Sequence, residues 1–248
     1  MQQCPLEGEQ AVKAYPVRET NGAIWLWFGD ELHREAGPFV LPEEMTSPEF
    51  SGFICTAFWR VNYRYALDNV MDPMHGAYLH AVSHSMAEGE KTAKMRIRKT
   101  EHGFFFEKVG QLGINFDWTE FGDTGNHWMR LAIPYRKNAG PGGQFWICGW
   151  VTPVIEDVCQ VYFWRIRKIE GWQRDAWRFI YRNRLEGRHW DVLEQDRMIL
   201  ETMAPDARAH EFLYQHDTGM ARLRRAMEDQ AKAQVAALEQ ARLASAAE

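Results

Sequence analysis

The stretch from Asp68 to His80 contains two histidines and two carboxylates among apolar side chains. Neutral imidazole is the commonest protein ligand of a catalytic transition metal. A pair of imidazoles in apolar surroundings therefore predicts a metal site, which needs a third ligand from elsewhere in the chain. The alternative is two core histidines satisfied by hydrogen bonds, with an aspartate that caps a helix.

The spacing of the two histidines restricts how they can share one ion. His75 and His80 are five residues apart, so on a regular α-helix their side chains would point about 140° apart. Both rings reach one ion only if the helix is widened locally, as in a π-bulge, or if one ring lies at a helix end. Pro73 favours a break at this point. Asn69, Asp72 and His75 follow one another at three-residue steps and are expected to line one side.

Asp196 is the best candidate for the third ligand. It falls within an apolar stripe of helical period in residues 187–203, formed by Trp190, Leu193, Ile199, Leu200 and Met203. An ionised carboxylate on a buried stripe is unfavourable unless it is paired or binds a metal. Two histidines and one carboxylate with open positions are typical of non-haem Fe(II) sites. A salt bridge from Asp196 to a distant arginine is the alternative.

The elements that must position these residues follow from periodicity and turn signals. A helix is predicted over residues 63–80, and an Asn-Gly turn predicts a hairpin within residues 11–30. Further strands are predicted at 52–62, 94–99, 103–109, 114–120, 126–134, 144–152 and 158–168. Successive strands at short spacing form an antiparallel meander, and with the flanking helices the fold class is α+β.

Composition excludes several classes of function. The chain has 248 residues, of which 46% are hydrophobic and 13% aromatic, and its net charge is −5. The sequence has no run of basic residues that would indicate nucleic-acid binding, and it has no apolar stretch as long as a membrane span. The first residues do not resemble a signal peptide, so a cytoplasmic enzyme is expected. The four cysteines form no C-x-x-C pair, and we expect reduced thiols.

Two segments carry a resemblance to a known family. Asn69-x-x-Asp72-x-x-His75-x4-His80, together with Gln195-Asp196-Arg197-Met198-x-x-Glu201, resembles the catalytic domain of Rieske-type non-haem iron oxygenases and demethylases. The segment from Tyr15 to Asp30 resembles the part that joins the Rieske domain to that catalytic domain. The resemblance implies an antiparallel sheet wrapped around a long helix, the helix-grip form of START/Bet v1-like proteins.

The resemblance also implies roles for the candidate site residues. His75, His80 and Asp196 would hold Fe(II), with O2 as co-substrate. Asp72 would connect His75 to the cluster histidine of a neighbouring chain, and Asn69 would support it. The substrate would be aromatic or heterocyclic, and hydroxylation by a monooxygenase or N- or O-demethylation is expected ahead of ring dihydroxylation. A homo-oligomer, by resemblance a trimer, is expected.

The electron donor is expected on another domain or chain. A Rieske 2Fe–2S cluster needs two cysteines and two histidines, and the sequence has no C-x-H followed by C-x-x-H. The resemblance therefore implies an external Rieske cluster served by an NAD(P)H-dependent reductase. Residues 1–50 are interpreted as a linker and hairpin remnant next to a missing Rieske domain. Residues 51–218 are the catalytic domain, and residues 219–248 are a helical tail.

Two other functions remain open at this point. One is a helix-grip ligand-binding protein in which the metal residues are structural. The other is zinc-dependent hydrolysis, because zinc also accepts two imidazoles and a carboxylate. No glutamate stands beside His75 or His80 to act as a base, which disfavours hydrolysis.

Overall fold

The computed structural model of the chain describes residues 14–30, 32, 35–82, 89–135 and 143–246. Within these residues, nine strands form two antiparallel sheets: β1 (Val17–Thr20), β2 (Ala23–Leu26), β3 (Phe50–Trp59), β4 (Met95–Lys99), β5 (Gly103–Lys108), β6 (Trp118–Gly122), β7 (Trp128–Pro134), β8 (Gln144–Ile155) and β9 (Val158–Lys168). The hairpin β1–β2 stands alone, and the other seven strands have the order β3-β9-β8-β7-β6-β5-β4. Six of these follow one another as a meander, and β3 joins the sheet beside β9.

The helices lie around this sheet: α1 (Glu43–Thr46), α2 (Tyr63–Met71), α3 (Gly76–Leu79), α4 (Gly171–Ile180), α5 (Glu186–Glu201) and α6 (Thr218–Ala246). A π-helical segment at Tyr181–Leu185 joins α4 to α5 without a break. Short 3₁₀ turns at Ala207–Ala209 and Gln215–Asp217 precede α6. No helix in the described part of the chain is long and apolar enough to cross a membrane.

The two faces of the large sheet are covered by different parts of the chain. One face packs against α2, α5 and α6, where Leu67, Leu200 and Leu223 meet sheet residues such as Phe106 and Phe163. The opposite face carries a tryptophan-rich cluster that includes Trp128, Trp150 and Trp164, against which Trp25 of the hairpin packs. The α+β class and the helix-grip arrangement predicted from the sequence are confirmed.

Local sequence accounts for most of the strand boundaries. The hairpin turns at Asn21 and Gly22, whose φ angles of +55° and +73° suit the tight turn that Asn-Gly favours. The strand predicted at 114–120 begins later, at Trp118. The Asp117 carboxylate accepts the backbone N–H groups of Ile114 and Asn115, each at 2.8 Å, and holds them in a turn.

The C-terminal region is a helix, as predicted. Only Gly219 and Leu223 of α6 are buried, so most of this helix is in contact with solvent. Its first turn lies directly on the sheet, because a Cβ on Gly219 would come within 2.3 Å of the Phe106 ring. An ion pair between Arg224 and the buried Asp68 of α2, at 2.7 Å, fixes the same end of α6 beside the helix that leads to the histidines.

Candidate metal centre

The two histidines flank a single helical turn. The helix predicted over residues 63–80 is interrupted, because α2 ends at Met71, and the break that Pro73 favours falls at Asp72 and Pro73. His75 and His80 occupy the two cap positions of the four-residue helix α3. Because of this break, both rings lie at helix ends, from which they can reach one ion although the two histidines are five residues apart. The π-helical turn lies elsewhere, between α4 and α5.

The Asp72 side chain stabilises the start of that turn. The Met74 N–H donates to Asp72 Oδ1 at 2.7 Å, and the His75 N–H donates to Asp72 Oδ2 at 3.1 Å. A carboxylate that accepts the free N–H groups at the beginning of a helical turn is a favourable cap. Asp72 therefore determines where the chain turns toward α3.

Asp196 approaches the histidines from α5. It is 6% exposed and lies on the buried side of this helix with Leu200. The predicted apolar stripe is wrong at Ile199 and Met203, which are exposed. The prediction that Asp196 faces the interior nevertheless agrees with its burial.

The structure brings the three side chains together. His75 Nε2 lies 3.4 Å and His80 Nε2 lies 3.3 Å from Asp196 Oδ1. One ligand atom from each residue falls within 4.8 Å of the others, and in the described part of the chain this is the only such group of histidine, cysteine and acidic side chains. Around an ion with bonds of about 2.0–2.2 Å, neighbouring ligand atoms lie roughly 3.0–3.5 Å apart.

Asp196 Oδ1 is available to coordinate a metal ion. It is buried and makes no hydrogen bond within the part of the chain that is described. A buried carboxylate oxygen without a hydrogen-bond partner is strongly unfavourable unless a cation binds it. The donor set of two imidazole nitrogens and one carboxylate therefore fits a divalent transition metal.

Both rings are oriented through their other nitrogen. His75 Nδ1 donates to the Asp72 backbone carbonyl at 2.5 Å, and His80 Nδ1 donates to Gln195 Oε1 at 2.9 Å. These contacts hold the Nδ1–H tautomer and leave each Nε2 lone pair directed at Asp196. Gln195 was not predicted as a site residue, although it stands beside Asp196 in the motif quoted above.

The electrostatics of the cluster keep the carboxylate ionised. Burial alone would raise the pKa of Asp196, but His75 and His80, when they carry a proton on Nε2 in the absence of a metal, outweigh it and lower the pKa to about 2. Burial acts to lower the pKa of His75, and the Asp196 and Asp72 carboxylates reverse this and raise it. Asp196 is thus charged at neutral pH, as a metal ligand must be.

Asp72 and Asn69, the two residues predicted to support the metal ligands, differ in how they lie relative to the cluster. The Asp72 carboxylate is 26% exposed, and its Oδ2 lies 3.9 Å from His75 Nδ1, so the carbonyl rather than the carboxylate holds the ring. Burial raises the pKa of Asp72. Asn69, one turn earlier on α2, lines the cavity beside the cluster.

A cavity of about 410 Å³ opens beside the three side chains. It lies between the sheet and α5, and most of its wall is apolar, which suits a small organic molecule. The lining includes Val70, Phe116, Leu131, Ile133, Phe145, Ile147, Phe163 and Val192. The Phe116 ring also packs edge-on against His75, with 5.7 Å between centroids.

The fold and the cluster define a class of protein, the helix-grip catalytic domains of Rieske oxygenases. The crystal structure of dicamba monooxygenase bound to dicamba superposes with a TM-score of 0.67 at 16% identity, over 90% of this chain and 70% of that chain. At this identity the likeness concerns the fold. It confirms the helix-grip fold that the resemblance implied.

The chain belongs to the family described as vanillate O-demethylase oxygenase C-terminal domain, whose model matches residues 59–233. It is similar to the iron-sulfur subunit of the toluene-4-sulfonate monooxygenase system of Comamonas testosteroni, with 33% identity over 72 residues. It is also similar to a vanillate O-demethylase oxygenase subunit of a Pseudomonas species, with 32% identity over 78 residues. These matches cover 28% and 32% of this chain but only 20% and 22% of the two relatives.

Proposed function

We propose that the chain is the catalytic part of a Rieske-type oxygenase in which His75, His80 and Asp196 hold Fe(II). The convergence of two Nε2 atoms on the buried, unpartnered Asp196 Oδ1 is the observation that carries this proposal. When bound, the iron supplies the reduction of O2 and the hydroxylation of a substrate C–H bond.

The protein's own residues prepare this chemistry in three ways. The Asp72 carbonyl and Gln195 fix the ring orientations, so little rearrangement accompanies metal binding. The Asp196 carboxyl group is already ionised and contributes a negative charge. The apolar wall around Phe116 excludes water and accepts an aromatic or heterocyclic substrate.

The reaction that we propose is monooxygenation or demethylation. In a demethylation, one oxygen atom of O2 enters the C–H bond of a methyl group on O or N, and the other leaves as water with two electrons and two protons. The resulting hemiacetal or carbinolamine releases formaldehyde and the demethylated product. The names of the two relatives, a monooxygenase system subunit and an O-demethylase subunit, support this order of preference over dihydroxylation.

The electrons would come from a 2Fe–2S Rieske cluster on another domain or chain, reduced by an NAD(P)H-dependent reductase. Asp72 would bridge the cluster histidine of the neighbouring chain to His75 and so shorten the path of the electrons, because its partly exposed carboxylate accepts the His75 N–H. Asn69 would hold the neighbouring wall of the site. One relative is named as an iron-sulfur subunit, which supports a donor of this type.

We also propose the division of the chain given above. Residues 1–50 would adjoin the donor domain, 51–218 would form the catalytic domain, and 219–248 would extend from it. The hairpin packs through Trp25 on the face of the sheet opposite the candidate metal centre. Exposed apolar residues on α6, such as Val235 and Leu243, suit an assembly into a homo-oligomer, by resemblance a trimer.

Metal analysis combined with oxygen consumption tests this function. Protein purified without chelators should contain iron, and with a reduced Rieske donor it should consume O2 when a methoxylated aromatic compound is present. Zinc alone, with no O2 consumption after iron loading, would favour hydrolysis. Iron without any O2 consumption in the presence of a competent donor would favour a binding protein with a structural metal.

A further inference from the structure

The loop between β5 and β6 is built around one buried carboxylate, that of Asp117, which is 0% exposed. Its Oδ2 accepts the backbone N–H groups of Ile114 and Asn115, each at 2.8 Å. Its Oδ1 accepts Gln111 Nε2 at 3.0 Å and lies 3.5 Å from Lys108 Nζ. A single carboxylate thus holds together the backbone and the side chains of this loop.

The sequence of the loop explains why it needs such an acceptor. Gly110 and Gly113 have φ angles of +78° and +83°, in the left-handed region that favours glycine, so the chain bends at both positions. Buried N–H groups in irregular backbone of this kind require side-chain acceptors. An ionised acceptor forms hydrogen bonds that are about twice as strong as those of a neutral one, and it therefore fixes the loop firmly.

The loop carries Phe116 against His75. Lys108 Nζ donates to the Phe116 carbonyl at 3.0 Å, so its ammonium group contacts both Phe116 and the next residue, Asp117. The Phe116 ring is 2% exposed and packs edge-on against the His75 imidazole. The pair of Lys108 and Asp117 therefore determines where this ring lies beside a candidate metal ligand.

His75 depends on this contact more than His80 does. The His75 side chain is 16% exposed, whereas that of His80 is 1% exposed. The hydrogen bond from His75 Nδ1 to the Asp72 carbonyl holds one atom of the ring, and the ring can still tilt about that atom. The Phe116 ring restricts this tilt and keeps His75 Nε2 directed at Asp196.

The same loop holds the chain that follows the histidines. Gln111, which donates to Asp117 through Nε2, accepts the Glu90 N–H at 2.6 Å through Oε1. Gly89 has a φ of +107°, and a Cβ at this position would come within 2.5 Å of Gln111 Nε2. Because Gly89 has no side chain, the chain can approach the loop this closely.

We infer that Asp117 and Lys108 are positioning residues for the candidate metal centre, because they hold Phe116 where it fixes the orientation of the His75 ring. This deepens the proposed function and rests on the metal site proposed there, but the ring orientation itself requires neither metal nor turnover. A ligand that is oriented in advance loses less conformational freedom when the ion binds, and the affinity for the ion is higher.

The alternative is that this pair stabilises the fold and has no effect on His75. A buried acid nearby provides the matched control, because Glu120 of β6 is 3% exposed and pairs with Arg130 on the opposite face of the sheet, beside Trp128. Asp117→Asn and Glu120→Gln each remove the charge of a buried acid, so both should lower the free energy of unfolding. Only Asp117→Asn should also change the orientation of His75.

Nuclear magnetic resonance of the metal-free protein tests the ring orientation directly. The unsubstituted protein should show nuclear Overhauser contacts between the Phe116 ring protons and the carbon-bound protons of the His75 ring. These contacts should weaken in Asp117→Asn and persist in Glu120→Gln. A role in stability alone would leave them unchanged in both variants, as long as the variants are folded.

Binding of Co(II), followed by its visible absorption in competition with a chelator, tests the consequence for the metal. Asp117→Asn and Phe116→Leu should each bind Co(II) about tenfold more weakly than the unsubstituted protein. Glu120→Gln should bind it with unchanged affinity. So should Phe121→Leu, which makes the same change at a buried phenylalanine of β6 whose ring packs against Phe104.

Unchanged Overhauser contacts or unchanged Co(II) affinity in folded Asp117→Asn would each overturn the inference, and so would an equal loss of affinity in Glu120→Gln. If Asp117→Asn does not fold, Phe116→Leu and Phe121→Leu decide, and equal Co(II) affinities of these two variants would overturn it. Failure of the proposed function gives a different result. In that case the variants differ as expected, but iron-loaded unsubstituted protein consumes no O2 with a competent donor.

Discussion

His80 Nδ1 lies 2.9 Å from Gln195 Oε1, although the two residues are 115 positions apart in the sequence. His80 is 1% exposed, so no water competes for this contact. The hydrogen bond joins α3 to α5 next to Asp196 and sets the direction of the His80 Nε2 lone pair. Gln195 thus links the two segments that supply the metal ligands.

Gln195→Leu should weaken iron binding without unfolding the protein. Loss of the acceptor frees the His80 ring and leaves its Nδ1–H unsatisfied, and changes of this type lower metal affinity by about 10- to 100-fold. Competition with a chelator of known affinity measures the effect. Gln195→Glu, which keeps an acceptor oxygen, should restore most of the affinity, and equal affinities in both variants would contradict this role.

Asp72→Asn should retain iron and lose turnover. An asparagine Oδ1 can still accept an N–H group of the turn before α3, and the backbone carbonyl that holds His75 is unchanged. Only the negative charge is lost, and we expect turnover with a reduced donor to fall by at least about tenfold. Oxygen consumption is measured alongside iron content, and full turnover would refute a role in electron entry.

Lys108→Met should destabilise the fold around Phe116. Lys108 is fully buried, and its Nζ donates to the Phe116 carbonyl at 3.0 Å and lies 3.5 Å from Asp117 Oδ1. Burial lowers the pKa of Lys108, although Asp117 opposes this. Removal of one member of a buried ion pair lowers the free energy of unfolding by about 3–5 kcal/mol, which denaturant titration measures.

The matched control is Lys168→Met, because Lys168 pairs with Glu49 at the surface. Its unfolding midpoint should coincide with that of the unsubstituted protein. If Lys108→Met has the same midpoint as this control, the buried pair does not support the wall of the cavity.

The buried thiols should be unreactive in the folded protein. Cys55, Cys148 and Cys159 are free and buried, and burial raises the pKa of Cys55 and Cys159 to about 11. At pH 8 almost no thiolate is present, so in a Cys4→Ser background a disulfide reagent should label none of them until the protein unfolds. Cys4 itself lies outside the described residues.

The same thiols make stability depend on alkaline pH. Between pH 9 and about 11 the unfolded chain loses the thiol protons of Cys55 and Cys159 while the folded chain retains them. The unfolded state then binds fewer protons, so the free energy of unfolding should fall as pH rises through this range. Cys55→Ala and Cys159→Ala variants should show a shallower decrease, and an unchanged slope would contradict the assignment.

The sequence predicts those features that depend on neighbouring residues. The Asn21-Gly22 turn and the strand limits of β9 follow from local turn chemistry and alternation. Asp196 could be recognised because a charged residue interrupted apolar positions of helical period. The turn at residues 114–117 was missed although its hydrogen bonds to Asp117 are local, and only the buried partner of Asp117, Lys108, comes from another strand.

The functional contacts that were missed are long-range. Gln195 is a polar residue at a partly exposed position of α5, and its neighbours in the sequence do not indicate that it contacts His80. Arg165 stands between Trp164 and Ile166 in β9, and its partner Tyr181 comes from the π-helical segment. Such contacts require the tertiary fold, because side-chain period alone does not tell which partner a position faces.

Anaerobic titration with Fe(II) tests the central claim most directly, with Asp196→Ala compared against Glu194→Gln. Glu194 is an acid on the same helix that faces solvent and pairs with Arg197, so its substitution is the matched control. The unsubstituted protein and Glu194→Gln should each bind about one Fe(II) per chain. Asp196→Ala should fold, as judged by circular dichroism, and bind none. Iron binding of undiminished affinity in folded Asp196→Ala would contradict the account.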